Sequence, residues 1–506
     1  MSTIFYGALI SPNSLTSYAA LPHAVLSVSK ATGVIDWLEE DVPASSLQDV
    51  LAKHGILDLS EVELVELKEG EFLMPGLIDT HTHAPQVPNL GSGQEHELLD
   101  WLAQTTFPME ARFKDEKFAK KAYETVVRRI IDCGTTTCCY YGTLHLEATK
   151  ILAELVHASG QRAFVGKCNM DRNAPDYYIE PSASSSLSAT SALITHIRGL
   201  TPSPSSALVQ PILTPRFAIS CTPALLASLG ALAASDPTLA IQTHISENAS
   251  EIVFTKSLFP PGVLPATAET GEEKEQATYA GVYDAYGLLR QNTVLAHAVH
   301  LEESEVELIR RRGAGISHCP TSNFNLRSGC AHVGMLLDKG IKVGLGTDVS
   351  GGFSPSILTA VQHASIASKV IAMQHSHSPA NPPAPHTSFA SRQLPISTLL
   401  YLATQGGADV CDLSSRIGSL VPGKAFDALV VSVRSDAGNP GVWGVDWDEE
   451  LGVLGSNGKT ERERGRERER ERLEGMLERF LFCGDDRNVR RVFVQGRCVG
   501  GKEFRA

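Results

Sequence analysis

From residue 77 to about residue 350 the chain alternates short apolar, β-branched runs with longer amphipathic segments. The runs are Leu77–His83, Thr135–Tyr141, Ala163–Asn169, Leu208–Leu213, Leu239–His244, Thr293–His297, Ala314–His318 and Lys342–Thr347. Most of the intervals between them are long enough for a helix. Strands that are apolar on both faces and alternate with helical patterns predict a parallel sheet, because crossover helices cover it. Eight such units predict an α/β chain built on a (β/α)8 TIM barrel, whose functional residues stand at the C-terminal strand ends.

The flanks carry a different pattern. Residues 1–73 hold short strand signals such as Leu26-Ser27-Val28 and Val62–Leu67, and the tail beyond about 412 holds Ala428–Val433 and Val492–Val499. Neither flank can bury a core alone, so 1–73 and 412–506 are expected to join in one small β-sandwich beside a barrel spanning 74–411. Three stretches read as surface insertions: Ser/Pro-rich Pro181–Ser206, Pro/His/Ala-rich Ser376–Ser388, and Glu461–Arg472, where Glu and Arg alternate. The charges of the last run nearly cancel, which fits a solvated, helical insertion rather than an RNA-binding arm.

Composition narrows the classes. The 506 residues are 42% hydrophobic and 20% charged, as in an ordinary globular protein, and the formal charge of −13 argues against a nucleic-acid partner. No apolar stretch approaches about 18 residues, so no membrane-spanning helix is expected. Met1–Phe5 lacks a basic region followed by an apolar one, so no secretory signal is read there. Ten cysteines, none in a Cys-x-x-Cys pair, sit mostly in apolar runs. They are expected to be free thiols in a reducing compartment, the cytosol.

The chemistry begins at the end of the first run. A Pro75-Gly76 turn launches Leu77 and Ile78, and the run closes with His81-Thr82-His83. In a strand, residues i and i+2 share a face, so both imidazoles can grip one ion. Alone, such a pair reads as two surface histidines; the other strand ends change that. His244 with Glu247 three residues on closes the fifth run, His297 the sixth, and Asp348 follows the eighth, while Thr214-Pro215-Arg216-Phe217 follows the fourth. In a closed barrel these ends converge. His81, His83, His244 and Asp348 then offer three nitrogens and one oxygen to one divalent ion, most simply Zn2+, with room for a water. Such an ion brings the pKa of water from 15.7 towards about 7.

These residues carry a resemblance. The segment Pro75–His83, the later His244, His297 and Asp348, and the closing Pro422-Gly423-Lys424-Ala425-Phe426-Asp427 resemble the amidohydrolase superfamily. Within it the chain is similar to the guanine deaminase family, through Trp101–Arg112, Gln161–Lys167, Thr214–Phe217, His244–Glu251, Ser317–Asn323, Gly344–Gly352 and Cys483–Asn488. The likeness runs from about Phe72 to Val433 plus the last strand, outside the three insertions.

The resemblance implies roles residue by residue. His81, His83, His244 and Asp348 match zinc ligands. Glu247 matches the proton shuttle, and His297 a residue that hydrogen-bonds the attacking water or the tetrahedral intermediate. Gln86, Arg216 and Phe217 match purine-binding positions. A fixed cation at Arg216 suits a carbonyl oxygen such as O6 of guanine and would be wasted on an amino group. An amide at Gln86 suits a lactam edge, since it both donates and accepts. The implied reaction is zinc-dependent hydrolytic attack at C2 of guanine, releasing ammonia and leaving xanthine, in a homodimer.

Rival readings differ in residues. Two-metal relatives use a carbamylated lysine where this chain has Thr214-Pro215-Arg216-Phe217, so one metal is expected, with Lys167 structural. The Pro-Cys-x-x-Cys signature of nucleoside-type deaminases is absent. A non-enzymatic scaffold would be expected to lose ligands, and none is lost. The runner-up is a sibling enzyme acting on another heterocycle: a triazine, a pterin or 8-oxoguanine. His318 is expected at the pocket rim without binding metal, Phe107, Phe113 and Phe164 in the core, and Trp101 in core or pocket wall.

Overall fold

The computed structural model describes residues 2–201, 207–260, 262–265, 278–376, 388–443 and 461–505. The two flanks meet in one eight-stranded sheet. Its strands are β1 (Ser2–Ser14), β2 (Ser17–Ser29), β3 (Ile35–Glu39), β4 (Glu63–Glu66) and β5 (Glu71–Pro75), joined much later by β15 (Ala428–Ser432), β16 (Val489–Val494) and β17 (Arg497–Gly500). The order is β17-β16-β15-β5-β1-β2-β3, with β4 alongside β1. β1 is parallel to β4 over Thr3–Tyr6 and to β5 at Ala8 and Leu9; the other pairings are antiparallel. The sheet buries its own core, in which Phe5, Phe426 and Phe493 meet with centroids 4.6–5.5 Å apart. Its other face, through Ile10, Phe72, Met74, Leu429 and Val431, belongs to the barrel's hydrophobic core.

That barrel is parallel throughout. Its strands are β6 (Leu77–His83), β7 (Thr135–Tyr141), β8 (Arg162–Gly166), β9 (Cys168–Asn169), β10 (Val209–Pro215), β11 (Ala240–Ile245), β12 (Thr293–His297), β13 (Gly315–His318) and β14 (Lys342–Leu345). The third run divides into β8 and β9 at Lys167, whose ammonium donates to the Cys168 carbonyl and to Glu180 at 2.9 and 2.5 Å. Lys167 is structural, as its place in the sequence predicts. β6 and β14 meet through their ends: Asp348 N donates to His81 O at 2.9 Å, Thr80 Oγ1 to Leu345 O at 2.9 Å, and Thr347 Oγ1 to Asp79 at 2.6 Å. The approach is close. A β-carbon at Gly346 would lie 2.5 Å from Ser317 Oγ and 2.9 Å from His81 Cβ.

The helices form where the periodicity and caps agree. Glu116–Asp132 buries Ala119, Tyr123, Val126, Val127, Ile130 and Ile131, a helical stripe, and Asp115 caps its first turn by accepting from Lys117 N at 2.9 Å.

One expectation is corrected. Pro181–Ser206 is not a surface insertion over its described part: Ala183–Gly199 is a helix that buries Leu193, Ile194 and Ile197 in the core and Thr190 against Asn169. Serine-rich composition masked an ordinary apolar stripe, because small hydroxyls can pack in a helix by bonding the carbonyl four residues back, as Thr190 does to Ser186 at 2.9 Å. Ser376–Ser388 falls almost wholly outside the described residues. The charged run is the start of a helix, Glu461–Cys483, whose later turns bury Leu473, Met476, Leu477, Phe480 and Leu481.

Barrel and sheet are joined by a buried ion pair. Arg162 Nε and Nη2 donate to the two oxygens of Asp427 at 2.9 and 3.2 Å, with 3% and 2% of the side chains exposed, and Asp427 also accepts from Gln495 N at 2.8 Å. Removing one partner of such a pair costs about 3–5 kcal/mol, because the other charge is stranded in the interior. Asp427→Ala should therefore lower the calorimetric unfolding temperature clearly, whereas Arg162→Met combined with Asp427→Leu should recover much of the loss.

Candidate active site

Every residue singled out for chemistry stands at a C-terminal strand end or just beyond it. His81 and His83 end β6, His244 stands next to last in β11, and His297 ends β12. Arg216 and Phe217 directly follow β10, Glu247 lies two residues past β11, and Asp348 three past β14. The chain turns abruptly there. Ser246, His297, Ala298 and Asp348 all have positive φ, between 44° and 75°, although none is glycine. Such conformations cost about 1–3 kcal/mol each and persist only where surrounding bonds enforce them. They are the bends that carry these side chains over the barrel mouth.

The side chains converge. Candidate ligand atoms of His81, His83, His244 and Asp348 all lie within 4.8 Å of one another. His81 Nε2 is 3.0 Å from Asp348 Oδ1, His83 Nε2 is 3.4 Å from the same oxygen, and His83 Nε2 is 3.1 Å from His244 Nε2. The hydrogen-bond chemistry fixes one tautomer. His244 Nδ1 lies 2.6 Å from the Arg216 carbonyl, which can only accept, so Nδ1 carries the hydrogen and Nε2 is left a bare lone pair. That lone pair points at another ring nitrogen, an arrangement that suits a shared cation.

Electrostatics agree with this reading. Burial lowers the pKa of His81, His83 and His244, so the three imidazoles are neutral. Burial would raise the Asp348 carboxyl, but the His81 hydrogen bond and the nearby His297 hold it far below the usual carboxylate range. Three neutral imidazoles and one ionised carboxylate are the donor set of a catalytic divalent-ion site, and the residues present fit one.

His297 is not one of this foursome. Its Nδ1 meets Asn323 Oδ1 at 2.9 Å, and its Nε2 lies 3.4 Å from Glu247 Oε2 and 3.7 Å from Asp348 Oδ2. Burial alone would lower its pKa; Glu247 and Asp348 outweigh that and raise it. Glu247 is pushed up to about 8, chiefly by burial. Its backbone is fixed by Glu251, which accepts from Glu247 N at 2.8 Å and Asn248 N at 3.2 Å.

One small cavity is lined by His83, His244, Glu247 and Asp348 together with Gln86, Arg216 and Phe217; Leu98, Trp101, Leu102 and Leu326 complete it. Trp101 thus belongs to the wall. His318 is buried but faces a separate small cavity with Val333, Ala364, Ser368 and Phe389. It is not at the rim of this pocket, and burial lowers its pKa to about 3. Phe107, Phe113 and Phe164 are core residues, as expected; Phe107 packs in a cluster with Trp101 and Tyr178, its ring 5.3 Å from the Arg216 guanidinium.

Sequence reasoning missed several residues here. Asp79 accepts from the backbone N–H groups of His81 and Thr347, both at 3.1 Å, tying the first strand to the last. A carboxylate inside an apolar strand was a readable signal. So was the pairing of Asn248 with Glu251, which forms a capping box. Glu110 lies inside the matched stretch Trp101–Arg112, but no spacing or burial pattern marks it as a site residue. It is one acidic residue in a short helical stretch, yet it receives hydrogen bonds from Gln86, Tyr178 and Arg216.

The amidohydrolase family model matches residues 72–499. A probable guanine deaminase of Schizosaccharomyces pombe is 42% identical over 99% of this chain and 84% of its own length. The guanine deaminase of Homo sapiens is 34% identical over 99% of this chain and 97% of its own. A crystal structure of guanine deaminase from C. acetobutylicum, with guanine bound in the active site, superposes with a TM-score of 0.79 at 31% identity, covering 98% of this chain and all of the other. The chain belongs to the amidohydrolase family and, within it, to the guanine deaminase group.

Proposed function

We propose that this protein hydrolyses guanine to xanthine and ammonia, with a divalent ion, zinc in our reading, held by His81, His83, His244 and Asp348. One observation carries the proposal: hydrolytic groups and groups suited to a 6-oxopurine edge line the same cavity. The bound guanine in the relative from C. acetobutylicum supports the choice of substrate. When bound, the ion supplies Lewis acidity that brings the pKa of water from 15.7 towards about 7.

The chain's own residues do the rest. Arg216 and Gln86 orient the base through its oxygen-bearing edge, and the Phe217 ring gives an apolar flank, its centroid 6.3 Å from that of His244. Water adds its oxygen to C2, and Glu247 takes a proton from it. Glu247 returns that proton to a ring nitrogen, then takes the second proton from the hydroxyl now on C2 and delivers it to the amino nitrogen; the C2–N bond breaks, and ammonia leaves with the C2 oxygen retained as a carbonyl. A carboxyl whose pKa burial has raised towards neutrality suits a group that must both accept and donate. His297, held through Asn323, presents its Nε2 beside Glu247 and Asp348, where it steadies the added oxygen. A lining of Leu98, Trp101, Leu102 and Leu326 keeps bulk water from the reacting carbon.

The same reading places the enzyme in the cytosol as a homodimer. The ten cysteines form no disulfide, which accords with a reducing compartment. Among the described residues no helix is long and apolar enough to cross a membrane.

Purified protein should release ammonia from guanine and yield xanthine, with far lower turnover of triazines, pterins and 8-oxoguanine; activity confined to one of those would replace the proposal with the sibling reading. Glu247→Gln should keep its bound metal by elemental analysis while kcat falls by about 10²–10⁴, the usual worth of a general acid–base. Loss of metal in that variant would show that Glu247 holds the ion's ligands in place instead.

A further inference from the structure

Glu110 lies in the short helix Phe107–Ala111 with 0% of its surface exposed. Its Oε1 accepts from Gln86 Nε2 at 2.8 Å and from Arg216 Nη2 at 3.1 Å. Its Oε2 accepts from the Tyr178 hydroxyl at 2.6 Å and from Arg216 Nη1 at 2.7 Å. A carboxylate offers about four lone-pair positions, so this one has none left for a ligand. Nor does Glu110 line the cavity, whereas Gln86 and Arg216, which it grips, both do. Its influence on substrate is exerted through them.

That grip removes a choice from each partner. An amide can present either its oxygen or its NH2 group to a given neighbour. Here Nε2 of Gln86 must face the carboxylate, because the carboxylate of an ion pair only accepts, and Oε1 accepts from Ser350 N at 3.0 Å. Turning the amide over would set oxygen against carboxylate and NH2 against N–H, two unpaired contacts in a dry site. Arg216 is held as a bidentate fork, its plane fixed by two parallel bonds. The groups left over for the cavity are the guanidinium hydrogens not committed to Glu110, which only donate, and on Gln86 the second Nε2 hydrogen with the one Oε1 lone pair that Ser350 N does not use.

We infer that Glu110 is a specificity-determining, positioning residue: by fixing the Arg216 fork as a donor and the facing of the Gln86 amide it selects a purine with a carbonyl oxygen at position six and rejects one with an amino group there. The inference rests on the purine reading of the cavity given above. A 6-amino group would direct its own N–H at fixed donors and leave them unpaired, the situation in which binding sites discriminate most strongly.

The test compares guanine with 2,6-diaminopurine, which keeps the 2-amino group that leaves and differs along the six-edge alone, with an amino group for the carbonyl oxygen and no hydrogen on N1. Guanine turnover by the wild-type holoenzyme is read first; its absence overturns the purine reading and this inference with it. Given turnover, Glu110→Gln should raise KM for guanine by about 10-fold or more and lower the guanine-to-diaminopurine ratio of kcat/KM by about 10-fold or more, with metal content unchanged. Tyr178→Phe, which removes one of the four bonds to the same carboxylate without altering any charge, should shift KM and the ratio the same way by a smaller factor. It decides the matter alone if Glu110→Gln does not fold. A soluble, metal-loaded variant that loses kcat but keeps the wild-type KM and ratio overturns the inference.

Discussion

Asp348 donates its backbone N–H to the His81 carbonyl at 2.9 Å, and with that bond the carboxylate of the last barrel strand arrives beside the imidazoles of the first. The site exists because the ring of strands closes there. Asp79 pins the same seam from within, holding Thr347 by its backbone N–H and its hydroxyl at 3.1 and 2.6 Å. Gly346 permits the approach, since a side chain would collide with Ser317, Cys319 and His81. A barrel left open at this edge would keep its hydrophobic core but separate candidate ligands, His81 and His83 from Asp348, that are 265 or more residues apart in the chain.

Closing the mouth buries an unusual amount of polarity, and the molecule answers with partners rather than exposure. Glu110 and Arg216 neutralise each other, and Glu251 spends its acceptors on Glu247, Asn248 and the Tyr279 hydroxyl at 2.6 Å. Asp348 is surrounded by three imidazoles. Burial also shifts protonation: Glu247 is lifted towards neutrality, the property that its proposed work requires. The positive φ values at Ser246, His297, Ala298 and Asp348 are a further cost borne where side chains must be aimed.

The barrel strands were legible because their period and residue types admit no other packing. Thr135–Tyr141, for example, is β-branched or aromatic in five of its seven positions and buried throughout. Composition misled where it was read in place of periodicity. The serines of Ala183–Gly199 suggested an insertion, but Leu193, Ile194 and Ile197 recur on one face and bury it. In the charged helix the polar start was visible, while the apolar turns from Leu473 onward, which dock it on the core, were not weighed with it.

The amino-acid sequence by itself determined the strands, the helices with strong stripes, and the residue types at the strand ends, because these depend on local alternation and on chemistry that each side chain carries wherever it goes. Only the tertiary structure decided that Glu110 grips Gln86 and Arg216, that His244 keeps Nε2 bare by donating through Nδ1 to Arg216, and that His318 turns to a different cavity. Those outcomes rest on contacts between segments far apart in the chain and on which way a ring or an amide faces. Neither leaves a periodic trace, so they become defined only when the barrel has closed.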